Sequence, residues 1–315
     1  MTKHVAVVMG GWSGEREISL VSGAAVSGAL KAAGYGVTTI DMGRDIGALL
    51  PQLSPRPDVV FNMLHGRYGE DGCFQGLLEL MQIPYTHSGV LASSLAMNKP
   101  MAKRLFTQSG VPCPEGQVAS RDEVLADDLL PRPYVVKPVN EGSSLGVRII
   151  TEDDPERPFE GTSWPYAEDV LVERFVPGRE ITAAIMGERA LGAMELRPPA
   201  GGFYDYEAKY SEDKETAAEH VLPAPLPPAA YEEVLRLALL AHQTLGCRGV
   251  SRADFRYDDT QVTDQDGGFG GFYLLELNTQ PGMTPHSLVP EIAAAENISF
   301  QDLVVWLVEN ARCDP

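Results

Sequence analysis

Over the first hundred positions, apolar residues alternate between short continuous runs and helical spacings. Residues 4–9 form a run that stops at Gly10-Gly11, and residues 17–33 follow with small and apolar side chains at packed-helix intervals. Further strands are predicted over 37–42 and 58–64, and a short helix over 74–81. Strand, glycine turn, helix, strand is the order of an α/β unit with a parallel sheet. One helix is predicted over 93–109, stopped by Gly110 with Pro112 just beyond. Thereafter the pattern changes. Short β-rich runs lie at 134–139, 146–150 and 170–176, and the runs 181–186 and 190–196 flank Gly187-Glu188 as a hairpin. This is antiparallel α+β material. Residues 155–165 and 222–228 are proline-rich and read as surface loops. An amphipathic helix over 231–245 is closed by Gly246. Strands at 251–257 and 271–277 follow, separated by a polar, glycine-rich loop, and a last helix covers 301–311.

A chain of 315 residues is long for one domain, and two or three are expected. With 25 basic and 44 acidic residues its formal charge is −19, which opposes broad nucleic-acid binding; most of that charge serves solubility. In so acidic a chain, lysines inside motifs gain interest as local cations for an anionic ligand. The four cysteines are scattered, with no CxxC pair, and suggest neither a zinc site nor a disulfide framework. The N-terminal apolar run is too short for a secretory signal, and no stretch is long enough to span a bilayer, so a cytoplasmic protein is expected.

Two strand ends carry the strongest local chemistry. Arg252 and Asp254 sit two apart, as do Glu276 and Asn278, so each pair shares a strand face. Should these strands pair, Asp254, Glu276 and Asn278 form an all-oxygen cluster suited to Mg²⁺ held together with phosphates, with Arg252 beside it for developing negative charge. Taken alone, the pattern fits an ordinary hairpin salt bridge equally well. Lys137 ends an apolar run and leads into Glu141-Gly142-Ser143-Ser144-Leu145-Gly146, a loop that can approach phosphate oxygens but lacks the Walker ending; a tight hairpin turn needs the same small residues. Lys99 and Lys209 add weight only together with these. After the first strand, Gly10-Gly11 departs from dinucleotide spacing, and Glu15 at the helix start would repel a pyrophosphate. Glu15 suits a substrate ammonium, or simply complements the helix dipole. His65 follows a strand where open α/β sheets bind ligands; a polar substrate contact and a turn-satisfied histidine both fit.

In order, the chain carries GGWSGEREIS, HGRYGEDG, KPVNEGSSLGV, YDYEAKY, SRADF and LELNTQPGMTPHSLVP. Through these it resembles the D-alanine–D-alanine ligases of the ATP-grasp superfamily over essentially its whole length. The resemblance implies a Rossmann-like substrate-binding unit over 1–96, then a two-part ATP-grasp fold with a central subdomain over 97–180 and a C-terminal catalytic part over 181–315. It implies ATP as cosubstrate and two Mg²⁺ ions, Mn²⁺ being an alternative. It also implies an acyl phosphate made from one D-alanine and attacked by the amine of a second, and a homodimer working in peptidoglycan precursor synthesis.

Position by position, the resemblance gives Lys99 and Lys137 to the nucleotide phosphates and Lys209 to the γ-phosphate. Glu173 and Val176 match adenine recognition and Glu180 the ribose contact. Asp254, Glu276 and Asn278 match the metal ligands. Arg252 and the Gly282 backbone match the groups that stabilise the tetrahedral intermediate. Glu15 and His65 match the first D-alanine site, and Ser287 and Leu288 the second. Ser143 and Tyr210 match a hydrogen-bonded network with Glu15 under a closing loop. Tyrosine at 210 goes with D-alanine as second substrate, phenylalanine with D-lactate. Arg174-Phe175 departs from the family's frequent lysine and tryptophan, and the loop 263–270 is longer than usual. A non-catalytic nucleotide-binding protein would be expected to have lost Lys137, Arg252, Asp254, Glu276 or Asn278, and all five are present. A nicotinamide-dependent oxidoreductase is opposed by the glycine spacing.

Overall fold

The computed structural model describes residues 2–140, 142, 146–155, 159, 164, 166, 169–198, 218–261 and 270–314. Three sheets divide the chain. The first is parallel, with order β2-β1-β3, from β1 (His4–Gly10), β2 (Gly36–Met42) and β3 (Val59–Asn62). Helix α1 (Arg16–Ala32) crosses between the first two strands. It buries Ser19, Ser22, Gly23, Val26, Ser27 and Leu30, a stripe at helical spacing rich in small residues. The small residues are needed, since a Cβ at Gly23 would lie 2.4 Å from the Met9 sulfur. Helices α2 (Ile46–Gln52) and α3 (Cys73–Leu80) complete this part.

The sequence predicts one helix over 93–109; the structure has two, α4 (Val90–Met97) and α5 (Lys99–Gln108). The break is at Asn98, whose φ of −90° and ψ of 89° leave the helical region and whose side chain accepts from the Met101 amide at 3.1 Å. Pro100 explains it. A proline is tolerated in the first turn of a new helix but not inside a continuous one, and Asn98 caps that new start.

The second sheet is antiparallel, with order β4-β7-β5-β6: β4 (Gly116–Ala119), β5 (Tyr134–Pro138), β6 (Arg148–Ile150) and β7 (Val170–Arg174). Helix α6 (Arg121–Ala126) follows β4 with a Ser120/Glu123 capping box. The third sheet, order β10-β9-β8-β11-β12, is formed by β8 (Arg179–Met186), β9 (Arg189–Arg197), β10 (Glu219–Val221), β11 (Val250–Asp258) and β12 (Gly271–Asn278). As the sequence predicts, β8 and β9 form a hairpin, turning at Gly187 with φ +61°. Helix α7 (Pro228–Thr244) packs against this sheet with core residues Ile181, Ala183, Ala253 and Phe255. Helix α8 (Leu288–Ala295) packs against β8 and β9 with Ala184 and Met194. Helix α9 (Phe300–Glu309) lies on α8 and α1, so the end of the chain returns to the first sheet. Among the described residues, no helix is long and apolar enough to cross a membrane.

Candidate active site

Two adjacent rows of side chains cross the third sheet. Asp254 on β11 is paired with Thr182 on β8 and with Glu276 on β12; one row along, Arg252 is paired with Ala184 and with Asn278. The strand pairing on which the all-oxygen cluster depended is therefore present. A β-bulge between Asp254 and Phe255 makes it work. Phe272 and Leu274 point into the core beside α7, so strict alternation would send Glu276 there too. Leu275 is the extra residue; it shifts the alternation, so that Leu277 enters the core and Glu276 and Asn278 face the cleft.

Asp254 is held from two sides. Arg252 donates to it from Nε at 2.9 and 3.2 Å and from Nη2 at 2.7 Å, and the Thr182 hydroxyl donates at 2.7 Å. Glu276 faces the Lys99 ammonium at 3.5 Å. Asn278 accepts from the Gln280 amide at 2.8 Å. The Gln280 side chain in turn donates to the Leu64 carbonyl and accepts from Asn62 at 2.8 Å. Gln280 and Asn62, which the sequence does not single out, thus tie the Asn278 end of β12 to the end of β3.

The break at Asn98 sets Lys99 at the start of α5, where its backbone amide donates to the Val139 carbonyl at 3.3 Å. One turn on, Lys103 points from the same helix into the second sheet. Its ammonium pairs with Glu173 on β7, and Lys137 on β5 pairs with the other carboxylate oxygen at 2.6 Å. Glu173 is 2 % exposed, Lys137 7 % and Lys103 8 %. Burial pushes the Lys99 and Lys103 amines below their ordinary values, opposed by Glu276 and Glu173 respectively. Burial would raise the Glu173 carboxyl, but the two lysines outweigh it and hold it below the usual carboxylate range. Lys103 has no motif of its own in the sequence; its one signal is the four-residue spacing from Lys99, which puts both on one helix face.

Val176 is buried and its carbonyl accepts from Arg256 Nε at 3.1 Å, while Glu180 lies 3.7 Å from the same guanidinium. Arg256 thus brings the expected adenine and ribose residues together. Arg174 stacks its guanidinium over Tyr273 at 5.2 Å.

At the first sheet, Glu15 is the N-cap residue of α1 and is buried. Ser13 accepts from the Glu15 amide at 3.2 Å and donates to the His65 carbonyl at 2.7 Å, joining the glycine turn to the end of β3. A Cβ at Gly66 would lie 3.3 Å from Glu15 Oε2, and one at Gly142 3.6 Å from it, so Gly142 comes close to Glu15. His65 Nδ1 meets Glu70 at 3.0 Å. Burial alone would lower the imidazole; the Glu70 hydrogen bond and charge, with Glu15, carry its pKa above the ordinary value. Ser287 accepts from the Thr284 amide at 3.0 Å, a bond made before the helix, and directly precedes α8, whose first residue is the buried Leu288. A Cβ on Gly282 would lie 3.2 Å from the Ser287 hydroxyl, so the Gly282 backbone and Ser287 are neighbours. Ser143, Lys209 and Tyr210, like most of the loop 263–270, lie outside the described residues.

Comparison with known proteins agrees over the full chain. The family model described as D-ala D-ala ligase C-terminus matches residues 113–309, and that described as D-ala D-ala ligase N-terminus matches 46–88. The D-alanine–D-alanine ligase of Rhodospirillum rubrum is 52% identical over 315 residues, and that of Methylocella silvestris 55% over 316, each covering 100% of both chains. Among solved structures, D-alanine–D-alanine ligase from Bacillus anthracis complexed with ATP superposes with a TM-score of 0.77 at 28% identity, covering 98% of this chain and 96% of that one. A second structure of the Bacillus anthracis enzyme gives 0.79 at 30%, covering 98% and 97%.

Proposed function

Because the chain belongs to the D-alanine–D-alanine ligase family, we propose that it joins two D-alanine molecules at the expense of ATP, through an acyl phosphate. The observation that carries this reading is the cross-strand register that sets Asp254 against Glu276 and Arg252 against Asn278, with Lys99 reaching Glu276. A carboxylate is a poor electrophile, and transfer of the γ-phosphoryl group to it supplies a leaving group. The amine of the second D-alanine then attacks the carbonyl and phosphate departs. Both steps need a site closed to water, which would hydrolyse the acyl phosphate.

In this reading Lys99 and Lys137 bind the nucleotide phosphates, with Lys209 on the γ-phosphate. Glu173 and Val176 meet adenine, and Glu180 the ribose. Glu15 holds the first D-alanine through its ammonium, with His65 nearby. Ser287 and Leu288 line the second D-alanine site. Arg252 and the Gly282 amide receive the oxyanion of the tetrahedral intermediate. Ser143 and Tyr210 bind the closing loop to Glu15. Two carboxylates and an amide oxygen, all hard donors on one cleft face, fit magnesium. Asp254, Glu276 and Asn278 would hold two Mg²⁺ ions, or Mn²⁺, whose charge when bound neutralises the phosphates. Arg252 orients Asp254 for that role. In this reading the three sheets belong in turn to units over 1–96, 97–180 and 181–315, with β8 of the third sheet starting at Arg179, just before the last boundary. The same reading makes the protein a cytoplasmic homodimer that supplies a peptidoglycan precursor.

The test is phosphate release from ATP and Mg²⁺ with D-alanine, L-alanine, D-alanine plus D-lactate, or no amino acid, with products identified by mass. Release with D-alanine and a D-alanyl-D-alanine product is expected. A depsipeptide with D-lactate would overturn the role given to Tyr210, and silence from folded, ATP-binding protein would overturn the reaction.

A further inference from the structure

Helix α5 presents two lysines one turn apart to acids on two different sheets: Lys99 to Glu276 on β12 and Lys103 to Glu173 on β7. Lys99 has a role in the proposed function; Lys103 has none. Yet Lys103 is buried, and burying an ammonium is costly unless a specific partner offsets it. Its partner, Glu173, is more deeply buried still and is shared with Lys137 at 2.6 Å. The Lys103 ammonium also lies 3.5 Å from the Leu274 carbonyl on β12, which fixes its position between the two sheets.

The sharing has a consequence when nucleotide binds. If Lys137 turns toward the phosphates, Glu173 loses one of its two cations in a site where a lone carboxylate would take up a proton. A protonated carboxyl can donate as well as accept, and so ceases to distinguish a 6-amino purine from a 6-oxo purine. A second, permanently placed cation prevents this.

We propose that Lys103 is the positioning residue for adenine selection: it keeps Glu173 charged and oriented as a pure acceptor for the 6-amino group while Lys137 serves the phosphates. The inference rests on the assignment of Glu173 to adenine given above. Lys103 acts through Glu173 and touches neither substrate nor phosphate.

The test compares ATP with inosine triphosphate, which carries a 6-oxo group, in K103M, K103Q, E173Q and the parent enzyme. Nucleotide affinity and steady-state kinetics at saturating D-alanine are both measured. The charged hydrogen bond at stake corresponds to roughly a tenfold or greater change. K103M is expected to reduce the ATP preference by about that factor, mainly through KM for ATP, with kcat and the KM for D-alanine nearly unchanged. K103Q carries the same expectation and replaces K103M should the latter not fold. An equal loss of affinity for both nucleotides in the Lys103 variants, with E173Q still lowering the preference, would overturn the role of Lys103 alone. An unchanged preference in E173Q would overturn the adenine assignment, and this inference with it.

Discussion

At the scale of single residues, the site is a set of charges that hold one another in place. Glu276 is the clearest case, because it serves two partners: Lys99 at 3.5 Å and, in the proposed reaction, the metal. Glu276→Ala is therefore expected to lower turnover by more than about a hundredfold, since loss of even a supporting residue of a metal site costs ten- to a hundredfold. It should also leave the Lys99 ammonium buried without that partner, so a small drop in melting temperature accompanies the loss. Circular dichroism and the phosphate-release assay measure the two effects separately, and near-normal turnover would remove Glu276 from the metal site. Much of this chemistry was legible in the sequence. Arg252, Asp254, Glu276 and Asn278 announce themselves because strand spacing puts them on shared faces. Lys103, Thr182, Gln280 and Glu70 were not legible. Lys103, Thr182 and Gln280 act through partners distant in sequence, and Glu70, five residues from His65, lies in a motif that does not mark it out from its neighbours.

At the scale of elements, the positions that matter are irregularities. The break at Asn98 places Lys99, and the bulge at Leu275 places Glu276. Both have faint sequence signs: Asn98-Lys99-Pro100 is a cap followed by a first-turn proline, and Leu274-Leu275 interrupts an alternating strand. Periodicity over a longer window averages such signs away, which is why 93–109 reads as one helix. Helix α8 is hidden for a related reason, because Pro290 discourages a helical reading although it sits in the first turn, where proline is tolerated. The bulge makes a strong prediction. Leu275 has no partner on β11, so deleting it should leave Leu274, Glu276, Leu277 and Asn278 in plain alternation, with Glu276 still opposite Asp254 and Leu277 still in the core. The deletion variant is therefore expected to keep its register and most of its stability. Leu275→Ala, which keeps the extra residue, should likewise retain the register and most of the activity. Chemical denaturation of the two variants, read beside their activity, checks this; a deletion variant that loses several kcal/mol, on the order of a buried unpaired charge, would show that Glu276 had turned into the core and that the pairing on either side of the bulge does not hold the register.

At the scale of the whole molecule, the three sheets do not correspond to three separate cores. One cluster of buried side chains joins Val5, Val7 and Leu30 of the first sheet and α1 to Leu303, Val304 and Leu307 of α9, and continues to Ala184 and Met194 of the third sheet. The other face of the first sheet is covered within the same stretch of chain, by Ile40, Leu49, Phe74 and Leu78 among others. A unit cut at residue 96 would keep that second face but leave the first without α9. Exposed apolar surface on that scale opposes independent folding, because a small domain retains little stability once its conformational entropy is offset. Residues 1–96 alone are expected to lack a fixed fold, giving a poorly dispersed amide proton spectrum. In the full chain, Leu303→Ala should cost about 2–5 kcal/mol, the range for a large-to-small change in a closed core. That loss should destabilise the first and third sheets together, because the truncated side chain belongs to both. Hydrogen exchange resolves it by position: protection should fall in β1 and β8 alike. A well-dispersed spectrum from 1–96, or exchange confined to the third sheet in Leu303→Ala, would make the first sheet an autonomous unit. On the proposed function the coupling has a reason, because the first D-alanine site at Glu15 and the proposed metal row at Asp254 would have to keep a fixed separation. The shared core, with Gln280 bridging to Leu64 and Asn62, is what sets that separation.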